Sequence, residues 1–92
     1  MPEQVEGEYE IMNELGLHAR AAAQLVQITN RFPCDVQLEC EGQVVNGKSI
    51  MGVLMLAAAR GMRVKITCIG GNAQACLDEL GRLIANRFGE AR

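Results

Sequence analysis

The chain has no tryptophan, one tyrosine and two phenylalanines in its 92 residues. It therefore lacks the aromatic faces on which unpaired bases stack. It also lacks a basic balance. Nine Lys and Arg stand against eleven Asp and Glu, for a net charge of −2. A nucleic-acid surface needs the opposite, a basic stripe. Hydrophobic types make up 49% of the residues, yet no apolar run approaches the roughly 20 residues a membrane span requires. Residues 1–10 hold four acids and no base, which does not read as a secretory signal. A soluble cytoplasmic chain, with neither nucleic acid nor membrane insertion, is the expectation.

Metal-ligand spacing is missing as well. The four cysteines, at 34, 40, 68 and 76, are never spaced CxxC, and there is one histidine. No quartet of the usual kind can be assembled. Position explains these cysteines better. In "CDVQLEC" Cys34, Val36, Leu38 and Cys40 alternate with Asp35, Gln37 and Glu39. Cys68 continues the face of Val64 and Ile66, and Cys76 falls on the apolar stripe of a late helix. Small buried hydrophobes are the expected role. A cysteine-based redox or metal-binding module is the alternative from another class, and it requires accessible thiols.

What is present is one domain, 1–92, long enough to bury about 60–65% of its unfolded surface. Residues 1–4 and 89–92 are expected to fray. Val5, Gly7, Tyr9 and Ile11 alternate with Glu6, Glu8 and Glu10, the pattern of a half-buried strand. From Ala19 to about Asn30 the spacing becomes helical, with Ala22, Leu25, Val26 and Thr29 on one face. Phe32-Pro33 closes that helix. Strands follow at 34–40 and 43–46, then a short helix within 49–59, a strand at 63–69 and a last helix. Asn72 is expected to cap the last helix, whose stripe is Ala73, Cys76, Leu77, Leu80, Ile84 and Phe88. The order is β-α-β-β-α-β-α, an α/β (α+β) chain. Four strands with one dry face need three helices over that face. Periodicity leaves the strand order open, and a ferredoxin-like order fits almost as well.

His18 stands in "GLHARAA", at the head of the first helix. The first N–H groups of a helix have no intrahelical acceptor, and its dipole favours an anion there. Arg20 adds a fork of donors suited to phosphate. Gly16 and the alanines at 19 and 21–23 leave the approach to the ring open. A neutral imidazole is a competent nucleophile near pH 7. No acid or second base is nearby in sequence to activate water. The stretch therefore suits a phosphoryl carrier rather than a hydrolase.

"GLHARAA", followed some thirty residues later by "NGKSIMGVLMLAA", resembles the HPr family, the histidine-containing phosphocarriers of the bacterial phosphoenolpyruvate:sugar phosphotransferase system. The resemblance runs from about residue 7 to 88. It implies an open-faced β-sandwich, a four-stranded antiparallel sheet with three helices on one face. It implies that enzyme I passes a phosphoryl group to Nδ1 of His18, that Arg20 steadies it, and that enzyme IIA domains receive it. No cofactor and no metal enter, the chain is no enzyme in its own right, and a monomer is expected. The family commonly has proline where this chain has Ala21. Alanine can adopt the same conformation and is an excellent helix former. Basic residues that help dock partners in the family are here Gln27 and Asn30.

"KSIMGVLMLAAA" is too apolar for a short helix with one wet face. Val53 and Leu56 can point to the sheet, but Ile50, Met51 and Leu54 cannot all follow. The resemblance makes Ile50, Met51 and Leu54, with Ala19, Ala23, Gln24 and Gln27, the surface that binds enzyme I and enzyme IIA. Ser49 occupies an N-cap position, and a matching serine is the target of an HPr kinase/phosphorylase in some bacteria. A nitrogen-related regulatory branch of the same systems is the closest alternative reading.

Overall fold

The computed structural model describes residues 3–92. The elements run β1 (Gln4–Glu10), α1 (Ala19–Thr29), β2 (Asp35–Cys40), β3 (Gln43–Asn46), α2 (Ile50–Met55), β4 (Arg63–Ile69) and α3 (Ala73–Ala85), then a 3₁₀ turn at Arg87–Gly89. This is the β-α-β-β-α-β-α order read from the sequence. All strand pairs are antiparallel, in the order β1-β4-β2-β3. The order that periodicity left open is thus decided by β4, which inserts between β1 and β2.

The insertion makes β4 the central apolar strand. Val64, Ile66 and Cys68 are buried, with Cys68 opposite both Val5 and Val36, and Ile66 opposite Leu38. The alternation in β2 buries Val36, Leu38 and Cys40 and leaves Asp35 and Gln37 outside. The helices close this face with their three- and four-residue stripes. α1 contributes Ala21, Ala22, Leu25, Val26 and Thr29, and α3 contributes Ala73, Cys76, Leu77, Leu80 and Ile84. Burial of this kind stabilises by about 25 cal/mol per Å² of apolar surface. Ala21 lies fully buried inside the first turn of an intact α1.

Several expectations are corrected. Asn72 does precede α3, but in a left-handed conformation (φ 60°) and without a side-chain cap bond. The Ala73 N–H donates instead to Oε1 of Glu3, at 3.1 Å. The cap therefore arrives from the other end of the chain. Of the segment expected to fray, residues 1 and 2 lie outside the described residues. Gln4 is paired with Ile69 in the sheet, and the Glu3 carbonyl accepts from Gly70.

The last helix stops at Ala85, short of Phe88. Arg87 and Phe88 both take positive φ, which swings the Phe88 ring back into the core at 2% exposure. Residues 89–92 then run along the protein rather than away from it. The Glu14 N–H donates to the Arg92 carbonyl at 3.0 Å, and Glu90 is engaged by side chains described below.

Candidate functional site

The loop between β1 and α1 is held by its backbone. Gly16 takes φ +68°, and a Cβ there would stand 2.5 Å from the Ala58 carbonyl oxygen. Leu17 N–H donates to that same oxygen at 2.9 Å. Gly16 is buried and lets the loop seat on the chain following α2, instead of merely leaving the ring accessible. His18 is then the N-cap of α1, in extended conformation, with its carbonyl accepting from Ala22. Its side chain makes no cap bond. The positive end of α1 is left facing the site.

The imidazole is 24% exposed. Its Nε2 lies 2.5 Å from Oε2 of Glu90, in hydrogen-bond contact. Oε1 of Glu90 accepts from Nδ2 of Asn13 at 3.0 Å, and the same Nδ2 donates to the Gly16 carbonyl at 2.9 Å. Asn13 is fully buried. The hydrogen bond from His18, then that from Asn13, holds the Glu90 carboxyl below the usual carboxylate range, and the Arg20 charge acts in the same direction. Arg20 itself is exposed in the first turn of α1. Sequence reading missed both Glu90 and Asn13. Asn13 lies in the connection between β1 and α1, which has no periodicity to mark it, and Glu90 lies 72 positions from His18.

α1 and α2 lie antiparallel. At one end Thr29 and Asn30 reach the carbonyls of Gly47 and Lys48, and at the other Leu17 reaches Ala58. The C-terminal end of α2 is therefore beside His18. Val53 and Leu56 are buried as expected, while Ile50 and Met51 are 45% and 69% exposed. Leu54 is half-buried against the core. Leu15, in the loop before His18, and Met55 are also exposed, at 66% and 62%. Met55 was legible in principle, being one helical turn beyond Met51 on the same face.

The other predicted contact residues divide. Ala19 is exposed next to His18, and Ala23 is half-buried. Gln24 and Gln27 line a groove with Ile28, Arg31 and Leu83 between α1 and α3. Ser49 caps α2, its Oγ accepting from the Gly52 N–H at 3.1 Å.

All four cysteines are free and buried. The sulfurs of Cys34, Cys68 and Cys76 lie within 4.8 Å of one another. Burial pushes the Cys68 thiol up to about 11 and drives Cys76 up as well. Thiolates are disfavoured at Cys68 and Cys76, and all three cysteines are buried, so they pack as small apolar groups and not as the accessible thiols a redox or metal module requires. Among the described residues no helix is long and apolar enough to cross a membrane.

Comparison with known proteins gives consistent relatives. A family model, "PTS HPr component phosphorylation site", matches residues 5–86. A "Phosphocarrier protein HPr" of Cupriavidus necator is 50% identical over 80 residues, covering 87% of this chain and 90% of the relative. A "Multiphosphoryl transfer protein" of Haemophilus influenzae is 36% identical over 89 residues, 94% of this chain but 18% of that longer protein. The crystal structure of "HPr-C-His" from Thermoanaerobacter tengcongensis superposes with a TM-score of 0.92 at 38% identity, covering 96% of this chain and 99% of that one.

Proposed function

The chain belongs to the HPr family of phosphotransferase-system phosphocarriers, and on that premise we propose that it carries the phosphoryl group on Nδ1 of His18. The observation that supports this most is the placement of a partly exposed imidazole at the N-cap of α1, with Arg20 in the first turn. The unpaired N–H groups of that turn and the guanidinium together favour a dianion beside the ring. Nδ1 is the ring nitrogen that Glu90 does not occupy.

Phospho-enzyme I is the donor in this reading, and an enzyme IIA domain the acceptor. Both dock on the exposed apolar strip of Leu15, Ile50, Met51 and Met55, with Ala19 at its edge. Methionines suit a surface that must fit more than one partner. Gln24 and Gln27 add a polar flank to the same docking surface. The protein acts as a monomeric, cytoplasmic carrier, with no cofactor and without turning over a substrate of its own. Phosphorylation of Ser49 by an HPr kinase/phosphorylase would place about −1.5 to −2 charges inside the docking strip.

The test is phosphoryl uptake from phosphoenolpyruvate in the presence of enzyme I. The wild-type chain takes up one acid-labile, base-stable phosphate, and His18→Ala takes up none. Arg20→Ala keeps the fold and slows the transfer. Equal labelling of the His18→Ala protein would overturn the reading.

A further inference from the structure

We propose that Glu90 is a positioning residue for His18: its carboxylate holds the ring proton on Nε2 and so keeps the Nδ1 lone pair available. The inference rests on the carrier reading above.

The geometry supplies three reasons. An ionised carboxylate only accepts hydrogen bonds, and Oε2 of Glu90 lies 2.5 Å from Nε2. A neutral imidazole has a single N–H, so the hydrogen on Nε2 leaves Nδ1 unprotonated. Second, Glu90 is itself oriented. Its other oxygen accepts from buried Asn13, and its backbone N–H donates to the Arg87 carbonyl at 2.9 Å. Third, the tail is anchored on both sides of Glu90, by the buried Phe88 ring and by the Glu14 to Arg92 bond.

The proton then stays in place through the whole cycle. The Nδ1 lone pair attacks phosphorus, the Nδ1–P bond forms, and the bond from phosphorus to the donor breaks with its electron pair leaving on the donor. Nε2 keeps its hydrogen, and the ring becomes a phosphoimidazolium whose positive charge faces the Glu90 carboxylate. On delivery the Nδ1–P electrons return to Nδ1, and the same neutral tautomer is regenerated.

This arrangement gives an ordering that a merely structural tail would not. In Glu90→Gln, Asn13 continues to donate to the amide oxygen. The amide NH₂ is then turned toward Nε2 and donates to it. The ring proton is driven to Nδ1, the nitrogen needed for the chemistry. The isosteric variant is therefore more damaging than the truncation Glu90→Ala, where water serves either tautomer. A wrong-tautomer effect of this kind underlies the loss seen when the orienting carboxylate of a serine-protease triad becomes an amide.

The experiment pairs two readouts on Glu90→Gln, Glu90→Ala and wild type. Imidazole ¹⁵N shifts, recorded where the ring is neutral, report which nitrogen carries hydrogen without any phosphoryl transfer. Initial rates of uptake from phospho-enzyme I report the consequence. We expect Nε2–H in wild type, a shift toward Nδ1–H in Glu90→Gln, and uptake slowed about tenfold in Glu90→Gln but less in Glu90→Ala. Wild-type ¹⁵N shifts and rates in Glu90→Gln would overturn the role of Glu90 while leaving the carrier reading standing. Labelling of His18→Ala would overturn the carrier reading whatever the tautomer.

Discussion

The hydroxyl of Thr29 donates to the Gly47 carbonyl at 2.8 Å, and both residues are buried between α1 and the approach to α2. Thr29 also shares its proton with Val26 of its own helix, at 3.1 Å. This bond ties the C-terminal end of α1 to the segment that leads into Ser49. It sets the antiparallel alignment that brings the far end of α2 to His18.

Replacement of Thr29 by Val conserves shape but leaves the Gly47 carbonyl without its donor in a dry site. Stability should fall by about 1–3 kcal/mol, and Thr29→Ser should recover most of it. Urea denaturation measures both. An unchanged midpoint for Thr29→Val would show that the bond does not hold α1 and α2 together.

Gly16→Ala should harm both fold and function. A Cβ 2.5 Å from a backbone oxygen, at φ +68°, cannot be relieved by rotating a side chain. The strain is of order 1–3 kcal/mol. Because Gly16 seats the loop that carries His18, phosphoryl uptake should slow even at temperatures where the variant remains folded. Thermal unfolding and uptake rates on the same preparation separate the two effects.

Ser49→Ala removes the α2 cap and should cost about 1 kcal/mol. Ser49→Asp keeps an acceptor at the N-cap and should hold stability within a few tenths of a kcal/mol of wild type. It should nevertheless weaken transfer from enzyme I, because it sets a charge beside Ile50 and Met51. A Ser49→Asp protein with full transfer rates would separate Ser49 from the docking strip.

The thiols make a prediction with a defined sign. In the folded protein Cys68 ionises only near about 11, against roughly 8.5 in an unfolded chain. The native state therefore holds these protons more tightly. The stabilisation is complete below about pH 8.5 and is lost as pH rises through the folded value. Unfolding free energy should decline between these limits, and Cys68→Ala should flatten the decline. At pH 8 a thiol reagent should modify the native protein only as fast as it opens. Rapid labelling of all four cysteines would revive the redox or metal alternative.

Much of the architecture is legible in the chain because period is a local property. The alternation in 34–40 and 63–69 and the helical stripes of α1 and α3 each follow from neighbours a few positions apart. The boundaries of β3 and β4 agree residue for residue with the sequence reading. Where the reading failed, the deciding partner was remote. Asn72 has the composition of a cap, yet Glu3 performs that role. Phe88 fits a helical stripe, yet it reaches the core through a left-handed turn after the helix has ended. The polar tail around Glu90 has no periodicity, so nothing local distinguishes it from a frayed end.

The placement of His18 and Arg20 at the start of α1 was determined by the sequence alone, since a ring at a helix N-terminus needs only neighbouring residues. The dry faces of strands and helices were determined in the same way. The tertiary structure alone decided that β4 lies between β1 and β2, that α2 points its C-terminal end at His18, and that Glu90 reaches Nε2 of the ring. Each of these joins segments far apart in the chain. Their contacts depend on how the faces pack together, which no short-range pattern encodes.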